Sequence, residues 1–103
     1  MKELIEIDLS DLYEIAIPDC PASELLAAIL EKWGVKYELL VNCSPDAGDR
    51  FFDEEFRQHY LRENEEDEEE VVREFAERKK AIPVRLFDGY EWAYAIVFKE
   101  GGR

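Results

Sequence analysis

Basic residues are scarce in this 103-residue chain: 13 Lys and Arg stand against 26 Asp and Glu, for a formal charge of -13. A field of that sign repels nucleic acid and anionic membranes and attracts basic proteins. Direct binding to nucleic acid or to a membrane is therefore not expected, and a protein partner with a basic surface is. The chain has a single histidine, His59. Nucleophilic catalysis needs a Ser, Cys or Lys beside an activating base, and His59 lies among acids on an expected helix, where it reads as a partly exposed residue near Glu55 and Glu63. Gly-rich phosphate loops are missing, as is any His or Cys pattern with transition-metal spacing. Asp46, Asp49 and Asp53 lack the spacing and central Gly of a calcium loop and read as caps and solvated acids. The expectation is a non-enzyme with no cofactor and no metal.

Two cysteines, Cys20 and Cys43, are too few and too far apart for a zinc knuckle or a disulfide framework. They read as reduced thiols, with a single bridge between them left open. No stretch approaches the roughly 18 uninterrupted apolar residues of a membrane span. Met1 to Ser10 alternates acidic with apolar residues, unlike a signal peptide, so a cytoplasmic location is expected.

What is present suffices for a core. Hydrophobic residues make up 47% of the chain and charged residues 38%, a balance that does not read as disorder over the whole length. One acidic domain over residues 1–103 is expected. Leu4 to Leu9 alternates as a strand with Ile5, Ile7 and Leu9 on one side, and Tyr13, Ile15 and Ile17 continue that parity, giving one strand or two around Ser10-Asp11. Pro21 then opens a helix whose Ala22, Leu25, Leu26, Ile29, Leu30 and Trp33 share a face, and Gly34 with Val35 supplies its stop. Val35, Tyr37, Leu39 and Val41 point inward from a second strand.

Ser44 to Asp49 reads as a loop, with Asp49 capping a helix from Arg50 to about Arg62 whose stripe is Phe52, Phe56 and Tyr60, with Phe51 on its flank. A third helix buries Val71, Val72, Phe75 and Ala76, with Glu69 to Arg73 and Glu74 to Arg78 as i, i+4 pairs. Asp88-Gly89 marks a two-residue hairpin turn, which places Arg85 across from Trp92. The fold expected is α+β: a mostly antiparallel sheet of about four strands with three helices, in order β(β)-α-β-α-α-β-β.

The acids are not spread evenly. Residues 1–31 carry eight acids and one base, and residues 53–80 carry twelve acids and six bases, while the rest is neutral. Two acidic sets stand out: Glu63, Glu65, Glu66, Asp67, Glu68, Glu69 and Glu70, and Glu6, Asp8 and Glu14 on the N-terminal strand. Same-face strand residues lie about 6.6 Å apart, close to the step between phosphates, and carboxylates so spaced fit an Arg- and Lys-lined channel. Glu65, Glu66, Glu68 and Glu69 are expected to be exposed, so that reversing them to Lys leaves folding intact. The second candidate surface is the aromatic side of the hairpin, with Arg85, Phe87, Tyr90, Trp92 and Tyr94, since Tyr and Trp dominate interface hot spots.

The function expected from this pattern is inhibition of a nucleic-acid-binding enzyme by charge mimicry, in the general manner of phage-encoded anti-CRISPR and anti-restriction proteins. An immunity or antitoxin protein capping a basic toxin or nuclease site, and a structural adaptor subunit, are the alternatives.

Overall fold

The computed structural model describes residues 4–8, 21–45, 48–63 and 68–98. Its elements run β1 (Ile5–Asp8), α1 (Ala22–Trp33), β2 (Lys36–Ser44), β3 (Gly48–Phe51), α2 (Glu54–Glu63), α3 (Glu68–Arg78), β4 (Ala81–Phe87) and β5 (Trp92–Phe98). The α+β class and the order of elements are as expected. The sheet is larger and mixed: five strands in order β1-β4-β5-β2-β3, with β1 parallel to β4 and the other pairs antiparallel. No short turn links β1 to β4, so nothing local in the sequence set their relative direction. Residues 9–20 and 99–103 lie outside the described residues.

Helices cover both faces of the sheet. α1 buries Ala22, Leu26 and Leu30 against Val84, Leu86, Ala93, Ala95 and Val97; the alanines leave room for a helix at close range. On the other face Phe56 of α2 and Val71, Val72, Phe75 and Ala76 of α3 pack on Leu40, Val41, Cys43, Tyr94 and Ile96. Phe56 and Phe75 meet edge to face, with ring centroids 5.3 Å apart. Gly34 ends α1 in the left-handed region at φ 74°, and Val35 N–H reaches back to Leu30 O at 3.4 Å, the helix stop expected of Gly34 and Val35. Trp33 does not join the core but is 51% exposed; it is the last residue of α1, one turn beyond Leu30, with which the helix's contribution to the core ends.

The start of α1 has no cap from Pro21. The sheet supplies one: Asn42 Oδ1 on β2 accepts Ser23 N–H at 2.7 Å, and Glu91 Oε1 accepts Ala22 N–H at 3.2 Å. A carboxylate at that place also suits the positive end of the helix dipole.

Three local expectations are corrected. β2 is bulged between Leu39 and Val41, and one extra residue turns every later side chain to the opposite face. Leu39 therefore packs with α1 while Val41 packs with α2 and α3. The segment expected to begin the second helix forms β3 instead, pairing Phe51 with Val41 and Arg50 with Asn42. The cap is then Asp53, whose Oδ1 accepts Phe56 N–H at 2.9 Å. Phe51 and Phe52 exchange roles: Phe51 lies 5.4 Å from the Tyr60 ring, and Phe52 is 49% exposed.

The hairpin turn is also longer than two residues. Phe87 pairs with Trp92 and Arg85 with Tyr94, so Asp88 to Glu91 make the connection. Asp88 Oδ1 accepts the N–H groups of Tyr90 (2.8 Å) and Glu91 (2.7 Å). Those two bonds hold a four-residue turn in place of the tighter one. The slip is of two residues, so each side chain keeps its expected face.

Candidate functional site

Of the acids in the central run, Glu65, Glu66, Asp67 and also Glu14 lie outside the described residues, and Glu63 closes α2. Glu68 turns inward. Its Oε1 accepts the Trp92 indole Nε1–H at 3.0 Å and its Oε2 accepts the Cys43 thiol at 2.9 Å. The expectation that Glu68 is exposed and can be reversed without harm is thus corrected: the first turn of α3 points it at the sheet. Glu69 makes the expected bridge to Arg73 at 2.9 Å, and Glu70 is exposed.

Sequence reasoning stopped at Glu70, but the exposed row continues. Glu70, Glu74 and Glu77 are all exposed on α3, and at 1.5 Å rise per residue they climb the helix in steps of about 6 and 4.5 Å. Their i, i+4, i+7 spacing was the signal that could have found them. The row is fixed from beneath by Val71, Val72, Phe75 and Ala76, each buried. Glu70 and Glu77 form no ion pair with another described residue.

On the N-terminal edge, Glu6 and Asp8 are exposed on β1. Glu6 Oε2 accepts Arg85 Nη1–H at 2.6 Å, which supplies the carboxylate that a half-buried arginine on an apolar sheet requires. Glu6 is thereby partly neutralised, which weakens this edge as a source of field.

The second candidate surface is largely inside the protein. Tyr94 is buried at 3% exposure, and Trp92 packs against the core formed with α2 and α3. Arg85 lies over the Phe87 ring at 5.8 Å, and of this set only Tyr90 is well exposed, at 40%. Trp92 and Tyr94 are therefore covered by this chain's own helices, while Arg85 and Phe87 are half-buried.

His59 is buried at 4% exposure, not partly exposed as its acidic neighbours suggested. It faces the Phe75 ring at 5.7 Å, and Arg78 Nη1–H donates to its Nδ1 at 3.0 Å. Because Arg can only donate, the ring proton resides on Nε2, 3.9 Å from Glu74 Oε1. Arg78 thus serves His59, and the expected pair with Glu74 is not among the ion pairs of the described residues, Glu74 lying beside His59 instead.

The donor atoms of Cys43, Asp49 and Glu68 lie within 4.8 Å of one another. Burial first, and then the hydrogen bond to Glu68, push the Cys43 thiol up, so it stays protonated and is a poor nucleophile and a poor metal ligand. Asp46 lies outside the described residues, and Asp53 caps α2.

Another group escaped the sequence reading. Tyr37, Glu38, Leu39, Phe52, Asp53 and Glu54 line an open cleft of about 550 Å³. Glu38 shares a hydrogen bond with Asp53, and this bond, then burial, raises the Glu38 carboxyl above its usual range. A raised carboxyl stabilises the fold fully below its unfolded pKa, and that contribution is lost as pH rises through its folded pKa. Glu38→Gln, which mimics the protonated form, is expected to raise the melting temperature at pH 7 by about 2–4 °C, an exposed pair being worth about 0.5 kcal/mol. The difference from the parent should close near pH 4; thermal melts at both pH values measure it, and a difference independent of pH would refute the shared proton.

No helix among the described residues is long and apolar enough to cross a membrane. No family model matches the chain, and neither a curated protein nor a solved structure does, so the carboxylate rows and the cleft stand as the grounds on which its role is read.

Proposed function

We propose that this protein is an inhibitor that occupies the nucleic-acid channel of a basic enzyme, presenting carboxylates where phosphates would lie. The observation that carries this reading is the exposed row Glu70, Glu74 and Glu77 on a helix whose other side is locked into the core, within a chain of formal charge -13. A row of charges on a rigid support costs little ordering entropy on binding and can match a periodic row of cations. Residues 63–70 extend the same acidic stretch in sequence. The adaptor alternative is less favoured, since Trp92 and Tyr94, the centre of the aromatic side of the hairpin, pack against α2 and α3.

The test is capture from a host-cell lysate at low and at high salt, followed by challenge with duplex DNA and with RNA. The expected result is a nucleic-acid-binding enzyme that salt elutes and that one of the two nucleic acids displaces. Retention through high salt, or indifference to both nucleic acids, overturns the reading.

A further inference from the structure

β2 is paired unequally along its length. β5 accompanies it from Lys36 to Cys43, but β3 covers only Val41 to Ser44. At the bulge, Leu40 O accepts Phe52 N–H at 2.8 Å and Asp53 N–H at 3.4 Å, and there the chain leaves the strand for α2. Among the described residues nothing pairs with the outer edge of Lys36 to Leu39. An open edge presents alternate backbone N–H and C=O groups, a ready template for a further strand.

The cleft opens beside this edge. It places the half-exposed Phe52 ring beside Glu38, Asp53 and Glu54, on a floor of Tyr37 and Leu39. The nearby cation, Lys79, is already held by Glu55 at 2.6 Å, which leaves Glu38 and Asp53 side by side, the hydrogen bond between them raising the Glu38 carboxyl. A guanidinium entering here would meet two carboxylates and an aromatic face, the surroundings that suit arginine better than any other side chain. A second copy of this chain is a poor occupant, because it would bring its own Glu38, Asp53 and Glu54 against these.

We propose that the Lys36 to Leu39 edge of β2 takes an extended segment of a basic partner protein as an added strand, with an arginine of that segment seated between Phe52 and the Glu38–Asp53 pair. This deepens the reading above by giving the basic partner a second contact, of different kind, on the sheet edge. Four residues of edge span about 13 Å, so the contact is short and sets register and orientation more than affinity.

The test needs no cellular partner and therefore succeeds or fails separately from the capture experiment. The ¹⁵N-labelled protein is titrated with the blocked pentapeptide acetyl-Val-Arg-Val-Arg-Val-amide and, in parallel, with its Val-Glu counterpart. The arginine peptide is expected to shift the amides of residues 36–39, 52 and 53 saturably, with a dissociation constant in roughly the millimolar range. Phe52→Ala should weaken it about five-fold, a substitution at an exposed side chain that leaves the fold intact. Lysine reversal of Glu70, Glu74 and Glu77 should leave those shifts in place. Shifts confined to α3, equal shifts from the glutamate peptide, or none at β2 at several millimolar peptide overturn the proposal.

Discussion

Replacing Glu68 by Lys is expected to destabilise the protein by on the order of 3 kcal/mol, through loss of two hydrogen bonds to a charged acceptor and the orphaning of their donors. The donors are the Trp92 indole and the Cys43 thiol, and Cys43 is 1% exposed. An ammonium in that place meets two further donors and leaves both without the acceptor that Glu68 supplied. Glu68→Gln keeps an acceptor oxygen and should cost less than half as much. Chemical denaturation followed by tryptophan fluorescence measures both, and an unchanged midpoint for the Lys variant would put Glu68 among the solvated acids. The comparison with Glu70→Lys is informative because the two residues lie two positions apart in the first turn of α3 and differ in the face they occupy.

The second large effect concerns binding. Changing Glu70, Glu74 and Glu77 together to Lys moves the formal charge from -13 to about -7, since each change adds two units. All three residues are exposed, and surface substitutions of this kind usually stay within about 0.5 kcal/mol each. Affinity for the enzyme captured at low salt should nevertheless fall about 100-fold or more. Most of that loss should appear as slower association, because charges at a rim steer encounter before contact is made. Stopped-flow association over a salt series gives the answer. Equal rates and equal salt slopes for the triple variant and the parent would remove α3 from the interface.

Much of the architecture was legible because it rests on short-range patterns. The Ala22, Leu26, Leu30 stripe, the Gly34 stop and the Val71 to Ala76 face each depend on residues within one or two turns, and all are found where periodicity places them. The need of Arg85 for a carboxylate was equally readable, and Glu6 meets it. What was not legible was set by partners far off in sequence. Residues 48–51 pair with β2 because that buries Phe51 against Phe56 and Tyr60, a gain invisible to a window that sees only helix formers ahead. The bulge at Leu40 reversed the face of Val41 without any Gly or Pro to announce it.

The acidic surface was readable as composition and only in part as geometry. Charge alone does not say which carboxylates face water: Glu68 and Glu70 look alike in sequence, and one is bonded to an indole while the other meets solvent. Asn42 gave no sign of its role, since it caps a helix 19 residues away. The cleft between Glu38 and Phe52 needed the β3–α2 junction to exist before it could be seen.

The parallel pairing of β1 with β4 bears on the order in which the molecule assembles. Glu6 and Arg85 are 79 positions apart, so closing that contact means enclosing most of the chain in one loop, whereas β4 and β5 meet across a four-residue turn. Closure entropy grows with the length enclosed, and contacts between distant positions form slowly. β1 is thus the natural last arrival, docking on a sheet edge already formed, and the bridge from Glu6 to Arg85 acts as the latch that holds it to β4.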